Sequence, residues 1–141
     1  MLRAVLDTNV IISAMLSPLG APARALRAWI DGRFELVVSG LLLAELERAL
    51  AYPKLARRID PSEARVLVEW LRRTATVVPD PGEPPRVRSP DPGDDYLIAL
   101  AQAQHALIVS GDGHLLGLSG ELPVFSPTRF LRLLEPDEEP A

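Results

Sequence analysis

The chain contains no cysteine, so disulfides and thiolate metal sites are excluded, and any bound metal must be held by oxygen or imidazole. It contains no uncharged apolar run near the ~20 residues that span a bilayer. Its start lacks the basic, apolar and small-residue pattern of a secretory signal, so a cytoplasmic location with no membrane partner is expected. A basic excess is missing too: 15 Lys and Arg stand against 19 Asp and Glu, a net charge of −4 that is unusual for a nucleic-acid binder. Lysine is almost absent, Lys54 being the only one. The arginines that replace it suit bidentate phosphate contacts, but a G- and C-rich genome produces the same bias.

What is present is a chain of 141 residues, 48% apolar and 24% charged, long enough for one domain with a real core. Fourteen prolines and short connections hint at a thermostable source. Short β-like runs alternate with amphipathic segments, which predicts a parallel sheet covered on both faces. Strands are expected at Arg3 to Leu6, Glu35 to Val38, Thr76 to Val78, Leu107 to Val109 and Pro123 to Phe125. Helices are expected at Val10 to Met15, Pro22 to Ile30 (closing at Asp31-Gly32), Ser39 to Ala51, Asp60 to Arg73, Asp94 to His105 and Ser126 to Leu134. One further helical turn is expected near Lys54 to Arg58, and a plain turn from Gly113 to Gly117. Ser39, Asp60 and Ser126 read as N-caps. Pro79 to Gly93 is a proline-rich connection long enough to have a role of its own. Residues 1–134 read as a single domain and 135–141 as a frayed acidic end.

The acids carry the chemistry. Asp7 and Asp112 each end a buried strand, Glu45 lies early in a helix, and Asp94-Asp95 opens another. Strand ends and helix starts of an α/β chain meet at one edge of the sheet, so these carboxylates can converge. Two such charges ~4 Å apart repel by roughly 4 kcal/mol at an effective dielectric of about 20. A divalent cation or a raised pKa must relieve that. Oxygen-only donors suit Mg²⁺ or Mn²⁺, and with them phosphodiester hydrolysis.

Each acid also has a plain structural reading. Asp7 can cap the helix that follows, with Thr8 and Asn9 as its neighbours; as a ligand it would use them to orient its carboxylate. On a helical wheel Glu45 and Glu47 flank the stripe Leu42, Leu43, Leu46, Ala49 and Leu50 about equally, and only its place nearer the helix start favours Glu45. One of Asp94 and Asp95 can cap while the other points into the cluster. Asp91 reads first as a turn residue, and Asp112 fits an Asx-turn. Ser110 and Asn9 can hydrogen-bond a ligand or its water. Arg86 and Arg88 in the proline-rich stretch are candidates for holding an RNA backbone. His105, near a helix end, reads as a dipole partner.

In order along the chain, Leu6-Asp7-Thr8-Asn9-Val10, Leu-Leu-Ala-Glu45-Leu, Asp91-Pro-Gly-Asp94-Asp95-Tyr-Leu-Ile-Ala-Leu-Ala101 and Ser110-Gly-Asp112-Gly-His-Leu-Leu116 resemble PIN-domain proteins, and within them the VapC-type toxins of toxin–antitoxin pairs. The likeness runs from Met1 to about Leu134; each motif is weak alone and the ordered set is strong. It implies a Rossmann-like three-layer α/β/α sandwich and a Mg²⁺- or Mn²⁺-dependent endoribonuclease with Asp7, Glu45, Asp95 and Asp112 as catalytic ligands. Asp95 is chosen because the family's helix acid sits four residues before an alanine, here Ala99; Asp94 is the rival. The resemblance also implies an RNA substrate, a homodimer and a cognate antitoxin that reaches into the acidic groove. His114 stands where that branch often has another Asp, and is a candidate for metal or RNA contact. The departure, with the net acidic charge, favours a competing reading as a non-catalytic protein-binding module. A phospho-receiver domain is a third reading, but it needs a Lys after a late strand, and Lys54 is elsewhere.

Overall fold

The computed structural model describes residues 1–135; the acidic end expected beyond Glu135 lies outside them. Five strands form one sheet: β1 (Arg3–Leu6), β2 (Glu35–Ser39), β3 (Thr76–Val78), β4 (Leu107–Val109) and β5 (Val124–Phe125). Their order is β3-β2-β1-β4-β5 and every pairing is parallel. From Ala4 onward β1 is buried on both faces, as the middle strand of a covered parallel sheet must be.

The helices are α1 (Thr8–Leu16), α2 (Ala21–Ile30), α3 (Gly40–Leu50), α4 (Pro53–Ala56), α5 (Pro61–Thr74), α6 (Asp95–Gln104), α7 (Gly113–Leu116) and α8 (Pro127–Leu134). α8, α2, α1, α3 and α5 pack against one another in that succession as one layer, while α6 packs on β1 and β4. Right-handed crossovers explain the split. From β1 to β3 the chain steps one way across the sheet; to reach β4 it reverses, and its connecting helix falls on the other face. The result is a three-layer α/β/α arrangement with β1 and β4 at the point of reversal.

Local chemistry sets the element ends. Ser39 Oγ accepts from Leu42 N, Asp60 Oδ1 from Ser62 N and Ser126 Oγ from Arg129 N, so all three expected caps are present. α2 closes on Gly32, whose φ of +76° is open to a residue without Cβ. Two expected boundaries move. α1 begins at Thr8 because the Asp7 carbonyl already accepts from Val10 N at 2.9 Å. The expected turn after Asp112 is helical, because Asp112 caps it with its side chain on His114 N and its carbonyl on Leu116 N. His105 ends α6 in the left-handed conformation (φ 50°), so its part there is conformational.

Candidate active site

β1 and β4 run in register, Leu6 beside Val109, and Asp7 N donates to Val109 O at 2.9 Å. Asp7 and Ser110 therefore leave the sheet side by side at its carboxyl edge. Asp7 is only 5% exposed. Its Oδ2 accepts from Ser110 Oγ at 2.8 Å and Asn9 Nδ2 at 3.2 Å, while the Thr8 hydroxyl stands 3.5 Å from Oδ1. Ser110 Oγ in turn accepts from Asp112 N at 2.9 Å, and Asn9 Oδ1 from Gly111 N at 3.4 Å. Thr8, Asn9 and Ser110 thus hold Asp7 and tie it to the loop of Asp112. Burial pushes the Asp7 carboxyl above its ordinary range; the Ser110 hydrogen bond opposes this and the Asp112 charge adds to it.

The third acid of the cluster is Asp94. It closes a 3-10 turn, Pro92–Asp94, that Asp91 caps by accepting from Gly93 N at 3.0 Å. Burial first, then a hydrogen bond with Asp112 and the charges of Asp7, Asp112 and Asp91, push the Asp94 carboxyl up to about 7. Two carboxyls can share a hydrogen bond only through a proton, so one of this pair is neutral over much of the ordinary pH range. Asp94 Oδ2 is buried and has no hydrogen-bond partner. Among the described residues no basic side chain pairs with Asp7 or Asp94.

The matching family model, described as PIN domain, covers residues 3–114. This chain belongs to the PIN-domain family. It is similar to an uncharacterized protein of Methanocaldococcus jannaschii, with 27% identity over 120 residues, 85% of this chain and 77% of the relative. Among solved structures it resembles a protein from Pyrobaculum aerophilum (TM-score 0.63, 16% identity, 94% of this chain and 89% of the other). It also resembles VapBC-1 from nontypeable Haemophilus influenzae (TM-score 0.62, 17% identity, 90% and 99%). A third is VapBC2 from Rickettsia felis, solved with a promoter DNA fragment (TM-score 0.59, 11% identity, 89% and 97%). At these identities the structures speak for the fold.

Within this PIN fold Asp95, the acid favoured on sequence, is turned away from the cluster. Its Oδ1 accepts from Ser89 N at 2.9 Å and its Oδ2 from Arg88 at 3.2 Å. Adjacent residues at a helix start point about 100° apart, so when Asp94 faces the sheet edge Asp95 must face the loop. Glu45 is partly exposed and pairs with Arg48 at 2.8 Å, whereas Glu47 pairs with Arg72 of α5 at 3.1 Å. Glu47 is thereby committed to the far flank of α3, and Glu45 stands apart from the three gathered aspartates. His114 Nδ1 is 3.5 Å from Asp112 Oδ1 with its side chain 60% exposed. Arg88 stays beside Asp95, while Arg86 lies in a separate groove with His105 and Glu121.

Sequence reading missed two groups. The Tyr96 hydroxyl is pushed up by burial and then by the charges of Asp7, Glu45, Asp94 and Asp80, so it stands in the field of the whole acidic edge. Asp80 accepts from Leu41 N at 3.0 Å while its Oδ1 is buried without a partner. Tyr96 was legible as the residue after the acid pair; Asp80, beside a proline, carried no signal.

Proposed function

We propose that this PIN domain, spanning residues 1–134, is a Mg²⁺- or Mn²⁺-dependent endoribonuclease and the toxin of a toxin–antitoxin pair. Asp94 is the observation that carries the reading: a buried carboxylate oxygen with no donor, beside Asp7 and Asp112 and with no basic partner among the described residues. That donor set fits a hard divalent cation. As they stand, no three Asp, Glu or His side chains among the described residues are gathered tightly enough to hold an ion, and the cluster is relieved by a shared proton instead. Asp7, Asp94 and Asp112 would hold the ion, with Glu45 at the rim and Asp95 fixing the loop beside them. When bound, such an ion offsets charge on the phosphoryl group and acidifies a water.

The chain's own residues supply position. Ser110 and Asn9 fix the Asp7 carboxylate, the capped Asp112 loop fixes the second acid, and Asp94 gives up its proton when a cation takes its place. Arg88 is suited to steer a backbone phosphate, and His114 to touch it. RNA is the expected substrate. A homodimer in the cytoplasm, silenced by a cognate antitoxin, is the expected assembly, supported by the fold shared with the VapBC structures. The competing reading, a binding module without catalysis, draws on the open spacing of the acids. RNA cleavage with Mn²⁺ separates the two: Asp7→Asn, Asp94→Asn and Asp112→Asn each lose activity by roughly 100-fold or more. Equal activity in parent and variants overturns the nuclease.

A further inference from the structure

Between the start of α3 and the start of α6, under the proline-rich stretch, lies a groove of about 220 Å³. Leu41, Pro81, Pro84, Pro85 and the Tyr96 ring give it largely apolar walls, and Asp80 lines it with Asp95 and Glu83 at its edges. It adjoins the acidic cluster: Asp95 follows Asp94 in the chain, and Leu41 begins the helix that carries Glu45. Asp80 is half-satisfied, Oδ2 taking the Leu41 amide and Oδ1 having no donor. A buried acceptor without a donor is costly, so a ligand that supplies an N–H is favoured there.

We propose that this groove receives a nucleobase of single-stranded RNA bearing an exocyclic amine (adenine, cytosine or guanine), its ring against Tyr96 and the prolines and its amine donating to Asp80 Oδ1. The proposal rests on the ribonuclease reading above. A phosphate is unsuited, because Asp80, Glu83 and Asp95 line the groove and Arg88 offsets only one of them. A guanidinium fork seeks both oxygens of a carboxylate, and one is already engaged by Leu41. A base, in contrast, arrives tethered: a phosphodiester held at Asp7, Asp94 and Asp112 delivers its own nucleoside next door at high effective concentration. Uracil fits poorly, since its single ring N–H lies between two carbonyl oxygens that a carboxylate repels.

The test is fluorescence anisotropy in EDTA, where no cleavage intervenes, with labelled hexaadenylate, hexacytidylate and hexauridylate. The parent binds the first two about tenfold more tightly than the uridylate, the scale of one base-edge contact. Asp80→Asn keeps an acceptor for Leu41 but can also donate, so the preference collapses towards one. Tyr96→Leu weakens all three by roughly tenfold through lost stacking and keeps their ratio. A parent ratio below about twofold, or an unchanged ratio in Asp80→Asn, overturns the proposal. So does displacement of labelled hexacytidylate by N-acetylarginine amide at lower concentration than cytidine, which assigns the groove to a basic side chain of a partner protein. The same oligomers incubated with Mn²⁺ separate the two claims. Cleavage without base preference removes the groove alone, and preference without cleavage removes the nuclease reading.

Discussion

Asp94 holds its proton up to about 7, whereas in the unfolded chain it ionises near 3.8. Between those values the folded protein binds more protons than the unfolded one, so metal-free stability from this group falls as pH rises from about 4 to 7 and levels off above. Asp94→Asn removes the penalty. At pH 8 without metal the variant gains roughly 1 kcal/mol after allowance for partial exposure, or a few degrees in Tm, and at pH 4 it gains nothing. A larger gain at pH 4 than at pH 8 refutes the assignment. Asp95 behaves differently, because Asp95→Asn retains an acceptor for Ser89 N. Cleavage in Asp95→Asn should stay within about fivefold of the parent while Asp94→Asn falls ~100-fold; the reverse order returns Asp95 to the cluster. Asp7 and Asp112 were legible because a strand end projects its next residue from the sheet edge. The choice between Asp94 and Asp95 was not, since it depends on whether Asp94 closes a 3-10 turn or opens the helix.

Two separate residues satisfy the start of α3, Ser39 from the strand before it and Asp80 from beyond β3. Ser39 is fully buried, so Ser39→Ala, measured by urea unfolding, costs about 1 kcal/mol or somewhat more. No loss would mean that Asp80 alone carries the cap. Ser39 could be read from sequence because its partner is three residues away; Asp80 could not, because its partner lies 39 residues back. The same distinction runs through the elements. β1, β3 and β4 were legible to the residue, being apolar runs with sharp polar or proline ends. The proline-rich stretch was recognisable only as a loop, because its course depends on the distant acceptors of Asp95.

Taken as a whole, the molecule gathers its acids by topology. The alternation of strands and helices announced a parallel sheet, but nothing local stated that β4 lies beside β1, and that adjacency brings residues 7 and 112 together. If a cation binds there, it stabilises the whole fold by mass action. Mn²⁺ at 100 times its Kd adds about 2.7 kcal/mol, raising the Tm of the parent by several degrees and leaving that of Asp7→Asn nearly still. Equal shifts in both overturn the site. The acids differ, finally, in what anchors them. Asp7 and the Ser110 loop are bonded across two neighbouring strands, whereas Asp94 arrives on a short turn at the end of the proline-rich stretch. Inserting or deleting residues between Pro79 and Pro90 would therefore retune access and timing without disturbing the invariant pair, which leaves this stretch as the part of the molecule most open to divergence.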